Sequence, residues 1–265
     1  MKNPVIEYYE NYREEDRLTT NHARKIEWIT TVRIMDQWLA PGSRVLDCAA
    51  GTGIYAFHLA EKGQRVTATD FTPRHIDLIR AQLKDSACSM ETAVLDATDL
   101  SVFEDGSFDV VLNMGPVYHL VERKQREKCI SESVRVLKKG GLLLCAYIPR
   151  YFVFQHVAMI DSALLDAALA RQLVETGALR HTDEKCFWTD TYYASATEME
   201  ELFAVNGLGV VDHFAQDGLA PSFAKTVDRW NEEQFRIWCE YHYSACRERT
   251  VLGATNHAMV IGRKQ

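Results

Sequence analysis

The sequence contains no CxxC pair. Its seven cysteines, Cys48, Cys88, Cys129, Cys145, Cys186, Cys239 and Cys246, stand singly along 265 residues. That spacing is too sparse for the framework of a disulfide-stapled secreted domain, so they read as reduced thiols in a cytoplasmic protein. No stretch approaches the roughly 18 apolar residues of a membrane span. The first residues, MKNPVIEYYENYREEDR, are polar and acidic rather than apolar, so no export and no membrane partner are expected. Positive charge is also in deficit, with 30 Lys and Arg against 37 Asp and Glu and a net charge of -7. A nucleic-acid partner, which needs Lys and Arg concentrated on one face, is disfavoured, and a small-molecule substrate fits better. Internal repeats and low-complexity tracts are absent.

What is present is a long alternation of short apolar runs with amphipathic segments, the pattern of a parallel sheet covered on both faces. Strands are expected at Arg44–Cys48, Arg65–Asp70, Thr92–Asp96, Phe108–Asn113 and Gly141–Ile148. Helices are expected over about 53–62, 73–84 and 123–138, with Pro73 in a first turn and Gly140-Gly141 closing the last. A single N-terminal helix over about 4–38 precedes them. Past Tyr151 the alternation breaks into a helical stretch to about Thr176 and a helix near 197–206. A strand at 208–214, a long aromatic helix over about 222–249 and a last strand at 257–261 complete the chain. In open α/β sheets ligands bind at the carboxyl ends of the strands where the order reverses, so those ends hold the candidate site.

The first expected strand runs into VLDCAAGTG, where Asp47 precedes a small-residue turn, Ala49 to Gly53, that opens a helix and lets a ligand approach backbone. Gly51-Thr-Gly53-Ile-Tyr-Ala56 also satisfies the G-x-G-x-x-G/A dinucleotide pattern, so an NAD(P)-dependent oxidoreductase is an alternative. Against it, Asp47 would repel a pyrophosphate, and a cationic ligand suits the loop better. Asp70 ends the second strand about 20 residues past the glycines, where a carboxylate can accept from both ribose hydroxyls. Phe71 follows it. Asp96, at the end of the third, can accept from the exocyclic amine of adenine. Each acid also has a plainer reading: Asp47 and Asp70 as helix caps, Asp96 as a turn residue.

These blocks, in this order, resemble the class I S-adenosylmethionine (SAM) dependent methyltransferases: VLDCAAGTG, VTATD, LDATDL, FEDGSFDVVLNMGPVYHL and VLKKGGLLL, over Val45 to Ile148. GPVYHL is similar to the GPLYHL-type segment of a bacterial subset acting on small molecules. Ala49 stands where the family usually has its first glycine. The resemblance implies a Rossmann-like, doubly wound α/β sheet of seven strands, mostly parallel with the last antiparallel. It also implies SAM as cofactor and one domain over 1–265. Within it, residues 1–40 would form a helical lid, 41–150 the SAM-binding core, 151–190 a cap insertion and 191–265 the remainder of the sheet with an inserted helix. Asp47, Ala49 and Gly51 would lie near the methionine end of the cofactor, with Gly53 at the helix start. Asp70 and Phe71 would lie at the ribose, Asp96 and Ala97 at adenine, and Asn113 at the end of the fourth strand.

Beside the donor sulfur of such a fold lies the exit of that strand, Asn113-Met-Gly-Pro-Val-Tyr118-His119, so Tyr118 and His119 are the candidates for orienting or deprotonating an acceptor. His119 is expected to titrate near neutrality. The exit reads NMGP rather than [D/N]PPY, which leaves oxygen, sulfur and aliphatic nitrogen as acceptor atoms. In the N-terminal helix, Tyr8/Tyr12 and Tyr9/Arg13/Arg17 stack at i, i+4 spacing. Tyr12 can face the sulfonium and Arg17 can pair with the donor carboxylate. Tyr151 to Phe154 are candidate pocket residues, while the aromatic stripe around Trp230 and Trp238 reads as core or dimer contact. Cys239, His242 and Cys246 share a helical face without a partner motif, so no metal is expected. A SAM-binding subunit without catalysis is the remaining alternative, and the chain reads as monomer or homodimer.

Overall fold

The computed structural model describes residues 3–265. Seven strands form one sheet: β1 (Arg44–Asp47), β2 (Arg65–Asp70), β3 (Glu91–Val94), β4 (Phe108–Asn113), β5 (Leu137–Tyr147), β6 (Leu208–Ala215) and β7 (Ala258–Lys264), in the order β3-β2-β1-β4-β5-β7-β6. β1 to β5 pair in parallel, and β7 runs antiparallel to both of its neighbours. The expected seven-stranded, mostly parallel sheet is therefore present. Successive residues of a strand point to opposite faces. Val45, Val110, Leu112, Leu142 and Leu144 accordingly enter one core, and Leu46, Val111, Leu143 and Cys145 enter the other. Near-continuous apolar runs in these strands reflect burial on both sides.

The helices are α1 (Pro4–Asn11), α2 (His22–Trp38), α3 (Ile54–Glu61), α4 (Pro73–Lys84), α5 (Pro116–His119), α6 (Arg123–Val136), α7 (Arg150–Ile160), α8 (Ala167–Thr176), α9 (Ala196–Val205), α10 (Ala224–Val227), α11 (Glu232–Ala245) and α12 (Arg249–Leu252). Among the described residues, none is long and apolar enough to cross a membrane.

Three expected helices are broken, each by a local cap that periodicity does not register. The N-terminal helix ends at Asn11, because Tyr12 is extended, and resumes at His22, where the Asn21 side chain accepts from Arg24 N. The stretch after Tyr151 is split between α7 and α8 by Asp161 and Asp166, whose carboxylates accept from Ala163 N and Leu169 N. The aromatic helix is divided before α11 by a capping box between Asn231 and Gln234. Each such side chain satisfies a backbone donor that a continuous helix would not need to satisfy. Gly140-Gly141 does not close a helix but lies within β5, beside the register shift opposite Phe108 to Val110. Of the aromatic stripe, Phe223, Trp230 and Trp238 pack with α2, while Ile237 and Tyr241 are exposed.

Candidate functional site

The residues immediately after β1 to β4, Cys48, Phe71, Leu95 and Met114, all line one cavity of about 310 Å³. It sits where the strand order reverses, between β1 and β4. Cys48, Ala49 and Gly51 of the loop after β1 line its floor. Gly51 and Gly53 have φ of 54° and 90°, which favour glycine. A Cβ on Gly53 would also stand 2.9 Å from Ile79 Cγ1, so helix α4 presses close under the turn.

Of the residues expected at the cofactor, Ala49, Gly51, Asp70, Phe71, Asp96, Ala97 and Arg17 line this cavity. Asp70 serves two ends: its Oδ2 accepts from Gly51 N at 2.9 Å and its Oδ1 from Thr72 N at 2.8 Å, while the side chain still borders the space. A carboxylate has about four acceptor directions, so the turn-holding and ligand-binding readings coexist. Asp96 behaves likewise, with Oδ1 accepting from Thr98 N at 2.8 Å.

Four expected residues lie outside its wall. Gly53 shapes the turn from below. Asp47 is sealed beneath the loop, with Oδ2 unbonded. Burial, helped by the neighbouring Asp70, pushes its carboxyl up to about 7. Asn113 is fully buried, its Nδ2 at 3.1 Å from Cys129 Sγ and 3.2 Å from Ser133 Oγ, so it anchors α6 to β4 rather than meeting the cavity. Tyr12 stacks on Tyr8 with ring centroids 5.4 Å apart and belongs to a second cavity.

That second cavity, of about 510 Å³, is walled by Tyr8, Tyr12, Phe187 and Trp188 on one side and by Val153, Val157 and Ile160 of α7 on another. Glu27, Asp217 and His257 form its polar end. Of the pocket candidates Tyr151 to Phe154 only Val153 reaches it, and Tyr151 is exposed. Tyr9, Glu14, Arg17 and Tyr118 line both cavities. Arg17 is taken by protein carboxylates, at 2.6 Å from Glu14 and 2.8 Å from Glu27. It is therefore not a free partner for a ligand carboxylate, contrary to what the sequence suggested.

His119 lines the first cavity and not the second, and it is not the group titrating near neutrality that the sequence suggested. Its Nδ1 lies 3.0 Å from the Asp190 carbonyl and its Nε2 3.0 Å from the Tyr9 hydroxyl. A carbonyl only accepts, so Nδ1 carries the proton and Nε2 accepts from Tyr9. Burial pulls the ring down to about 4, against the opposing pull of the Asp190 carbonyl. Trp188 packs edge-on at 5.0 Å. Burial raises the Tyr118 phenol well above its ordinary value. Tyr9, Asp190 and Trp188 escaped the sequence reading as site residues; the visible signal was the tyrosine cluster of α1, in which Tyr12 rather than Tyr9 was singled out.

Cys239, His242 and Cys246 do not form a ligand set: His242 Nε2 meets the Gln216 carbonyl and Cys246 Sγ the Tyr243 carbonyl. Among the described residues, Glu27, Asp217 and His257 do converge within ligand distance of one another. However, Asp217 Oδ1 already accepts from Thr255 Oγ1, Asn256 N and His257 N, and Glu27 is occupied by Arg17.

Residues 45–141 match the family model described as a methyltransferase domain. Over those residues the chain carries a methyltransferase domain. Among curated proteins it is similar to a demethylmenaquinone methyltransferase of Clavibacter sepedonicus, 38% identical over 107 residues, which are 40% of this chain and 42% of that protein. The chain thus spans about two fifths of that relative's length. In fold it is similar to a SAM-dependent methyltransferase of Methanosarcina mazei, with a TM-score of 0.60 at 20% identity over 87% of this chain and 96% of that one. It also resembles the 1,6-didemethyltoxoflavin-N1-methyltransferase of Burkholderia thailandensis, solved with S-adenosylhomocysteine, with a TM-score of 0.58 at 14% identity over 98% and 85%. The methyltransferase match sets the dinucleotide reading of the glycine turn aside.

Proposed function

We propose that the chain transfers a methyl group from SAM, held in the first cavity, to an oxygen, sulfur or aliphatic nitrogen of a small molecule held in the second. The observation that carries this reading is the wall the two cavities share, Tyr9, Glu14, Arg17 and Tyr118, at the carboxyl ends of the strands.

The residues of the first cavity suit the cofactor. Asp70 offers acceptors to a ribose diol, Asp96 and the Ala97 backbone flank a place for adenine, and Phe71 adds an apolar ring face. Buried beneath the glycine turn, Asp47 favours a cation above it, since a nearby positive charge stabilises its ionised form. When bound, the cofactor supplies an electrophilic methyl on a sulfonium. What remains for the protein is alignment, because an in-line displacement needs little covalent help. Tyr9 and Tyr118 form part of the wall that the two cavities share. His119, neutral at physiological pH, fixes the Tyr9 hydroxyl with its proton turned toward the imidazole, leaving the phenol oxygen as an acceptor. Helix α1 roofs the first cavity through Pro4 and Val5 and acts as the lid.

The test is calorimetric binding of SAM and S-adenosylhomocysteine, followed by release of the latter in the presence of phenol, thiol and amine acceptors. Binding of both and turnover of one acceptor class are expected. Absence of binding at millimolar SAM overturns the reading.

A further inference from the structure

Among the histidines of the two cavities, His257 is unlike His119. It begins the turn into β7 and lines the second cavity at its polar end. Its Nδ1 lies 3.1 Å from Asp217 Oδ2, 3.3 Å from Glu27 Oε2 and 3.1 Å from Asn256 Nδ2; the two carboxylates only accept, so that nitrogen carries a proton directed at them. Asp217 is itself fixed: its Oδ1 accepts from Thr255 Oγ1 at 2.7 Å and from Asn256 N and His257 N at 2.9 Å. Among the described residues nothing hydrogen-bonds Nε2, and that atom is not sealed from solvent. The arrangement is an imidazole oriented through one nitrogen by a buried carboxylate and left open at the other, which is how a base is presented to a ligand. The apolar side of the same cavity, built from Tyr8, Tyr12, Phe187 and Trp188, fits a flat aromatic body.

We infer that His257, positioned by Asp217, is the base that takes the proton of an acidic O–H acceptor, a phenol or enol, bound in the second cavity. This rests on the methyltransferase reading above. The acceptor O–H bond breaks and its proton goes to His257 Nε2. An electron pair of that oxygen forms the new O–CH3 bond, the C–S bond pair stays on sulfur, and the proton later passes to solvent.

The charges around the ring support the assignment. Burial alone would lower His257, but Glu27 of α2 and Asp217 after β6 outweigh it and raise the ring above its ordinary value, with Arg17 behind Glu27 opposing them. His156 of α7 and His242 of α11 feel Asp217 and are lowered by burial, so they stay neutral. A base raised in this way is better matched to a phenol than one lowered to about 4 as His119 is.

The probe is 4-nitrophenol, whose two protonation states differ in colour, titrated with the full chain in the absence of SAM. It is expected to bind and to ionise at a lower pH when bound than when free. His257→Gln, checked by melting to be folded, should bind the probe as the neutral phenol. His257→Asn provides a second folded variant should the first be unstable. With a turned-over phenol, the wild-type kcat should rise with pH through one step above the ordinary histidine value, and His257→Gln should lose the step and about 10² to 10⁴ in rate. The inference is overturned if the wild type does not bind the probe, or if wild type and variant ionise it alike. Binding of S-adenosylhomocysteine, measured on the same samples, keeps the two readings apart: its retention beside a failed probe test removes His257 alone, and its loss removes the methyltransferase reading.

Discussion

The Tyr9 hydroxyl donates to Nε2 of His119 at 3.0 Å, joining residues 110 positions apart in the chain. The bond ties α1 to the exit of β4, and it is a direct link between the roof of the first cavity and its wall. Tyr9→Phe keeps the ring, which also meets His75 edge-on at 5.7 Å, and removes the donor. Leaving the enclosed Nε2 unpaired costs about 1 to 3 kcal/mol. In a chain of this size each kcal/mol lowers Tm by about 2 to 4 °C, which calorimetry resolves. Proteolysis between residues 12 and 21 should accelerate while the sheet persists.

His119 makes the protein sensitive to acid. Its folded value of about 4 lies below the ordinary 6.5, so the unfolded chain binds the proton first. The contribution is fully present above about 6.5 and is lost as pH falls through about 4. Urea midpoints measured across this range should fall less steeply in His119→Gln than in the wild type. The variant should also leave the pH dependence of turnover above pH 6 unchanged.

Gly53→Ala should damage the cofactor cavity without touching a ligand atom. The substitution forces a side chain into φ of 90°, a cost of about 1 to 2 kcal/mol. It also drives a methyl to 2.9 Å from Ile79 Cγ1 and 3.2 Å from the Phe57 ring, so these side chains must shift. Lower Tm together with weaker SAM binding in calorimetry is expected; unchanged affinity would free the turn from the cofactor.

Asp70→Ala should lose on both counts. Gly51 N and Thr72 N are left without their acceptor, so stability falls by about 1 to 3 kcal/mol. SAM affinity should fall by roughly 10 to 100-fold, since hydrogen bonds to a charged acceptor are worth about 1.5 to 3 kcal/mol. A stability loss with intact affinity would reduce Asp70 to a turn residue.

The sheet and the cavity at its strand ends were legible because their signals are local. Two-sided burial writes β1, β4 and β5 as apolar runs, and small residues at Ala49, Gly51 and Gly53 mark the turn. Asp70 closes β2 and Asp96 lies two residues past the end of β3, so both border that cavity for the same reason. Asn113 was misplaced because strand position says where the backbone ends but not which face a side chain takes. Alternation sent it toward Cys129 and Ser133. His257 and Asp217 were invisible as a pair: 40 residues separate them, and only the antiparallel pairing of β6 with β7 brings their ends together. The environment of His119 was equally hidden, because its lowered value depends on enclosure by Tyr9 and Trp188, from segments far along the chain.

The shared wall has a kinetic consequence. Tyr9, Glu14 and Arg17 all lie in the segment formed by α1 and the turns after it, and that segment borders both cavities. A change in the position of this segment alters both cavities at once, so neither is reshaped without the other. Under the proposed reading donor and acceptor pack against opposite sides of this wall, so both must be bound before transfer. Steady-state traces should follow a sequential rather than a ping-pong pattern, with the slower-leaving product setting the turnover rate.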